Sequence, residues 1–330
     1  MFETTYLIDI ILVAGFLLDL LFRDPRWLYH PVQAIGYSVI VLEKYTRLLF
    51  VSHLKIAGVV FLILQVVLWT GITVFILNIF YLHSQILLYI FTIYLVYSLL
   101  AVGSLTHEIY SVLKFIKSGN LSKAKIRAQG MVSRDLSKEN KTGVIRAVIE
   151  TATENISDGI VAPIFYYTLG GPVLMVFYKT VNTLDSMVGY RNLKYVDFGW
   201  ASARMDDILN YVPARITGLI LIFIGLILGD SVRGSVIAWY RDSQLGPSPN
   251  GGIPITTYAG ARDIKLGGPC FTFEGSQIEI PFVGGNKINY NESELKATLK
   301  YVYLSALIAF VLAILFLAYL PTNISNYFIF

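Results

Sequence analysis

Within ETATENISDGIVAPIFYYTLGGP, residues 150–172, three carboxylates recur at four-residue steps: Glu150, Glu154 and Asp158. On one helix they stack along a single face, opposite an apolar stripe of Val144, Ile145, Val148, Ile149 and Ala152. Like charges at that spacing repel by about 0.2 to 0.5 kcal/mol per pair at a surface, so a cation should offset them. Arg146, one turn before Glu150, supplies it if the acids are an ordinary solvated face. A Mg²⁺ ion or a substrate amine supplies it if Glu154 and Asp158 are ligands, because Mg²⁺ takes one or two carboxylates and completes its shell with phosphate oxygens and water.

Two further polar faces follow. In YKTVNTLDSMVGYRN (178–192), Lys179, Asn182 and either Asp185 or Ser186 recur every three or four residues up to Gly189, with Tyr190 and Arg191 beyond it. In FGWASARMDDILNYVPAR (198–215), Arg204, Asp207, Tyr211 and Arg215 fall on a third face. Ion pairing between helices would explain any one of these. Three of them bracketing broken apolar segments point to a site, since ionisable groups at a membrane boundary are expensive to keep. The stretch GPSPNGGIPITTYAGARDIKLGGP (246–269) is read as part of a Gly/Pro-rich loop region reaching Gly285, with the backbone freedom that a phosphate nest needs. It holds neither G-x-x-x-x-G-K-[ST] nor G-x-G-x-x-G.

The elements that must position these residues belong to a membrane. With 55% hydrophobic residues and a mean hydropathy of +0.62, the 330-residue chain has more apolar surface than a soluble core of its size can hide. The expected fold is an all-α polytopic integral membrane protein with about four spans, 6–22, 56–82, 86–103 and 301–320, each near the roughly 20 residues that cross a bilayer. All 26 Lys and Arg fall within 23–55 or 114–300, which places those regions in the cytoplasm and both termini outside. The apolar pieces 159–178 and 216–229 lie between. Pro163 and Gly170-Gly171-Pro172 interrupt the first, and the second has only 14 residues once Pro213 and Arg215 are excluded. They are read as broken or half-immersed helices lining a cytoplasm-facing cavity, the alternative being that both cross. The chain is one domain, 1–330: N-terminal spans in 1–103, a catalytic region in 104–300, and a C-terminal span in 301–330. No basic n-region precedes the first apolar stretch, so a cleaved signal peptide is not expected. The single Cys270 excludes an intrachain disulfide, the four His lack metal-ligand spacing, and no basic stripe suggests nucleic acid.

Together with RDPRWLYHPVQAIG (23–36) and VSRDLS (132–137), these motifs occur in the order and spacing of the CobD/CbiB family of cobalamin-biosynthesis membrane proteins, which the chain resembles over nearly its whole length. The resemblance implies a cell-membrane ligase, adenosylcobinamide-phosphate synthase. With ATP and Mg²⁺ as implied cofactors, it would join a propionate carboxyl of the corrinoid adenosylcobyric acid to aminopropanol or its phosphate. The lipid bilayer and other corrinoid-pathway membrane enzymes are the implied partners. By motif membership Glu154 and Asp158 become metal ligands, and Lys179, Asn182, Asp185, Arg204 and Asp207 become catalytic, with Lys179 and Arg204 on phosphate. Asn155, Tyr190, Arg191, Ser248 and Asn250 become substrate-binding. The sequence departs from the family pattern at Gly246, Ile253 and Ile255, where His, Trp and Glu are usual, and at Cys270 in place of a common Asn. A proton-transfer role of that His or Glu would have to be supplied elsewhere. Competing readings are an AmpE-like membrane signalling protein, which keeps the topology without the chemistry, and a transporter, which should show repeated halves. A CDP-alcohol phosphotransferase would need Arg where Pro163 stands.

Overall fold

In the computed structural model, residues 3–25, 27–246, 248–273, 275–288 and 290–319 are described, with side chains from residue 9 onward. Arg26, Pro247 and Leu320 of the motifs and spans above lie outside the described residues. In chain order the helices are α1 (Glu3–Phe22), α2 (Pro31–Leu49), α3 (Leu54–His83), α4 (Gln85–Leu99), α5 (Val102–Lys117), α6 (Leu121–Gln129) and α7 (Lys141–Ile156). A π-turn (Ser157–Val161) leads into α8 (Ala162–Val188), α9 (Trp200–Leu209), α10 (Tyr211–Leu228), α11 (Val232–Asp242) and α12 (Gly252–Arg262). The hairpin of β1 (Lys265–Phe271) and β2 (Gln277–Gly284) precedes α13 (Glu292–Tyr319).

Five helical stretches are long and apolar enough to cross a membrane: 54–83, 85–117, 141–188, 211–228 and 292–319. α3 is apolar along nearly its whole length, with Val59, Ile63, Leu64, Val67 and Leu68 exposed, as the lipid-facing side of a membrane helix should be. Both apolar pieces expected to be half-immersed are among the five by length and composition. The second is longer than its sequence suggested: Pro213 sits in the first turn of α10, where a proline forfeits no helical hydrogen bond, so the helix runs 18 residues from Tyr211. In the first piece Pro163 is not the break. It follows the π-turn, whose wider winding moves aside the carbonyl that a proline ring four residues on would strike. The break lies at Gly170 and Gly171, and Gly171, at φ 62° and ψ −156°, takes a conformation open essentially to glycine.

Contacts divide the chain into two compact units that interleave along the sequence: 1–101, 162–210 and 310–330 form one, 102–161 and 211–309 the other. The first has a core of Val39, Ala57, Phe61, Leu62, Val181, Leu184, Val188, Phe198 and Ala201, drawn from α2, α3, α8 and α9 and the segment before α9. Phe61 and Phe198 meet at 5.1 Å, and a Cβ on Gly58 would lie 1.9 Å from the Phe198 carbonyl oxygen, so only glycine lets that segment close on α3. In the second unit the expected stripe of α7 is wholly buried. Asn140 caps that helix, its Oδ1 accepting from Gly143 N at 2.8 Å.

The region 246–285 corrects the expectation of one long loop. Irregular chain ends by Gly251, α12 follows, and Asp263 in the left-handed conformation (φ 52°) stops it. β1 and β2 then pair antiparallel with an irregularity between Leu266 and Gly268. The alternation of Ile278, Ile280 and Phe282 on β2 favours a strand over a loop.

Candidate active site

The three acids of the opening stretch do not share one environment. Glu150 is tied down: its Oε1 accepts from Gly267 N at 2.7 Å, and its Oε2 from Arg134 Nη2. Arg146, expected beside Glu150, points instead to the hairpin, donating to Gly267 O and Pro269 O at 2.6 Å each, with Glu139 at 3.7 Å. A planar guanidinium suits two carbonyls at once. VSRDLS and KLGGP are thereby joined: Arg134 and Asp135 come from one, the β1 glycines from the other, and Asp135 N donates to Phe271 O at 2.9 Å.

Glu154, one turn on, is exposed and faces the PSPNGG loop. A Cβ on Gly251 would lie 2.8 Å from Glu154 Oε1, so the bare backbone at Gly251 lets the carboxylate approach. In the same loop Asn250 is buried, and its Oδ1 accepts from Arg215 Nη1 at 3.0 Å. The Ser248 hydroxyl accepts from Asn250 N at 3.2 Å. Arg215 also stacks 3.4 Å from the Tyr211 ring centroid. Asp158 is half-buried in the π-turn, where one extra residue per turn takes it off the register of Glu150 and Glu154, so the single face expected for the three acids is interrupted. Between Glu154 and Asp158 the Ser157 hydroxyl is buried without a hydrogen-bond partner among the described residues. Asn155 turns its amide back onto its own helix, Nδ2 donating to Thr151 O at 2.9 Å.

The other compact unit carries the second group. Lys179 Nζ donates to Asn182 Oδ1 at 3.4 Å, and Asn182 Nδ2 donates to Asp206 Oδ1 at 3.3 Å. Asn210 Nδ2 donates to the second Asp206 oxygen at 2.9 Å, and the Tyr178 hydroxyl donates to Asn210 Oδ1 at 3.0 Å. Burial pushes the Asp206 carboxyl up to about 6, against the lowering effect of its bonds from Asn210 and Asn182. Asp185 closes α8 beside Gly189, where a Cβ would lie 1.9 Å from Asp185 Oδ1. Burial, then the Asp185 charge, raises the Tyr190 phenol above its ordinary value. Tyr190 and Arg191 are exposed and open the loop 189–199, whose last two residues, Phe198 and Gly199, are buried. Glu43 and Arg47 of α2 hold that loop, Arg47 Nη2 donating to Lys194 O at 2.9 Å and its guanidinium lying 4.1 Å from the Phe198 ring.

The expected face 204–215 is not continuous. α9 ends at Leu209 and α10 begins at Tyr211, so Arg204 and Asp207 pair at 3.9 Å in one unit, while Tyr211 and Arg215 belong to the other. Arg204 is 65% exposed in its side chain, and the acid wired to Asn182 is Asp206, one position before the expected Asp207. Asp206, Asn210 and Arg134 are the residues that spacing missed. The motif FGWASARMDDILNYVPAR contains the first two, and a buried polar partner for Asn182 was the signal that could have found them.

Among the described residues no group of three or more His, Cys, Asp or Glu is gathered for a metal. Glu154 and Asp158 offer hard oxygens of the kind that Mg²⁺ takes alongside phosphate and water, and the unpartnered Ser157 hydroxyl lies between them in the sequence.

No solved structure matches the chain. Proteins described as cobalamin biosynthesis protein CobD are similar to it over almost all their length. That of Clostridium perfringens is 36% identical over 304 residues, covering 92% of this chain and 96% of the relative. Its counterpart in Geobacter metallireducens is 38% identical, covering 89% and 92%, and that of Listeria monocytogenes (strain EGD-e) 36%, covering 91% and 95%. The sequence model of the CobD/Cbib protein family matches residues 12–302, a range that holds every candidate site residue named above. The chain therefore belongs to the CobD/CbiB family of cobalamin biosynthesis proteins.

Proposed function

We propose that this protein is an adenosylcobinamide-phosphate synthase, forming an amide between a propionate carboxyl of adenosylcobyric acid and the amine of aminopropanol or its phosphate at the expense of ATP. The observation that carries the reading is the family membership across 12–302, with the polar residues of its motifs packed against one another: Glu154 with the loop at Ser248, Asn250 and Gly251, and Lys179 with Asn182. A carboxylate is a poor electrophile, and phosphorylation turns one of its oxygens into a leaving group that the amine displaces. Such a reaction needs cations where phosphate charge accumulates and fixed dipoles around the nucleophile.

Glu154 and Asp158 would hold Mg²⁺, which when bound neutralises charge on the transferred phosphoryl group. Lys179 and Arg204 bind phosphate oxygens. Asn155, Asn182 and Asp185 orient the amine and the carboxyl, and Asp207 steadies Arg204. Tyr190, Arg191, Ser248 and Asn250 make the remaining substrate contacts. The loop departures are tolerable in this reading: Gly246 is exposed with open space around it, and Ile253 is buried packing, so neither position supplies a group that the assigned roles require. In this reading both groups of residues face the cytoplasm of the cell membrane, where the basic residues between 114 and 300 are held by the positive-inside rule. The test is direct. Purified protein in detergent, given adenosylcobyric acid, aminopropanol phosphate, ATP and Mg²⁺, should release ADP and the amide together. A folded sample that makes no amide, or that hydrolyses ATP independently of corrinoid and amine, overturns the assignment.

A further inference from the structure

Asp206 is buried, belongs to none of the roles assigned above, and stands in the middle of a row of polar contacts that ends on Lys179. A primary amide donates from one end and accepts at the other, whereas an ionised carboxylate only accepts. Asp206 therefore dictates which way the Asn182 amide faces: Nδ2 towards the carboxylate, Oδ1 towards the ammonium of Lys179. Its other oxygen is engaged by Asn210, whose own amide is oriented by the Tyr178 hydroxyl. Asn182, Asn210 and Tyr178 are buried as well, so water competes little for these bonds.

We infer that Asp206 is a positioning residue, which through Asn182 fixes the Lys179 ammonium where the reaction needs it. The inference deepens the synthase reading and rests on it for the role of Lys179; the row of contacts can be tested without it. Asp206→Asn preserves shape but turns an acceptor into an amide. With Asn210 still donating to the remaining oxygen, the new NH₂ meets Asn182 Nδ2, and Asn182 must turn and present a donor to Lys179. A donor facing an ammonium disfavours its charged form.

The expected result is a fall in kcat of about tenfold or more with KM for the amine within about twofold. Lys179 should also be modified at least about threefold faster by an amine-reactive ester, read by mass spectrometry. The paired exchange Asn182→Asp with Asp206→Asn restores both bond directions, since the carboxylate at 182 accepts from the amide at 206 and from Lys179. It should return the labelling rate to near wild type. Asn182→Ala breaks the row without touching Asp206 and should speed labelling likewise, which covers the case in which Asp206→Asn does not accumulate. Wild-type labelling in Asp206→Asn or in Asn182→Ala overturns the inference, as does a paired exchange no better than the single variant. If wild-type protein makes no amide, the synthase reading fails while the labelling arm still decides the positioning role.

Discussion

Glu150 and Glu154 lie one turn apart on α7, yet the structure gives them opposite sensitivities. Glu150 links Arg134 to the backbone of β1, and both members of the ion pair are largely shielded, at 12% and 13% side-chain exposure. Glu150→Gln keeps a neutral acceptor for Gly267 N but leaves the Arg134 guanidinium without its carboxylate. Removing one partner of a buried pair costs about 3 to 5 kcal/mol. The remaining exposure and the retained neutral bond reduce that to about 2 to 3 kcal/mol. The loss should appear where Glu150 acts, at β1, and Cys270 on that strand is buried and is the only cysteine of the chain. A thiol-reactive dye can reach it only when the hairpin opens. At about 1.4 kcal/mol per tenfold, Glu150→Gln should speed Cys270 labelling in detergent by about 30-fold to 140-fold. Glu154→Gln, whose carboxylate faces the loop at Gly251, should leave the rate within about twofold. Wild-type labelling in Glu150→Gln, or equal acceleration by Glu154→Gln, would refute the division of roles.

Glu154→Gln and Asp158→Asn should each lower corrinoid amidation by about a hundredfold or more, roughly 2.7 kcal/mol of transition-state stabilisation, and raise the Mg²⁺ concentration needed for half-maximal rate; near-native activity with unchanged Mg²⁺ dependence makes these acids a solvated face. Asp206 has a folded-state pKa of about 6 against an ordinary 3.8, so its contribution to stability is complete below 3.8 and is lost as pH rises through 6. Thermal melts should therefore show wild type losing ground to Asp206→Asn between about pH 4 and about pH 7, and a difference independent of pH would contradict the raised value. Lys194, 63% exposed in its side chain, tests orientation: in a Cys270→Ser background, Lys194→Cys should resist a membrane-impermeant thiol reagent in intact cells, and labelling from outside would reverse the assigned side.

The apolar period of α7 was plain in the sequence, and every residue of its stripe is buried. The membrane class followed from composition, because no packing detail is needed to count uncharged stretches. What the sequence hid were partners. A helical face says which residues share a side but not what lies opposite, so Arg146 seemed the natural neighbour of Glu150 when Arg134, from the irregular segment before α7, holds it. Asp206 and Asp207 are adjacent, and stepping along the helix from Arg204 selects Asp207; only the packing of α8 on α9 shows that Asp206 is the buried one. The π-turn could not be read from residue types, since SDGIV carries no marker of a widened turn. The glycines of KLGGP suggested a loop because they obscure a strand that bends at its bulge, where Gly267 and Gly268 both have positive φ.

Phe16 of α1 stacks on Phe310 of α13 with ring centroids 4.5 Å apart. Residues 17–309 must be synthesised between the two rings, so α1 acquires this partner only after they have been made. During biogenesis that face of α1 has to be occupied by lipid or by the insertion machinery. A ribosome stalled before α13 would leave the unit containing 1–101 and 162–210 without its closing segment. Premature stop codons between α12 and Phe310 should then perturb the region around α1 as well as the segment they remove.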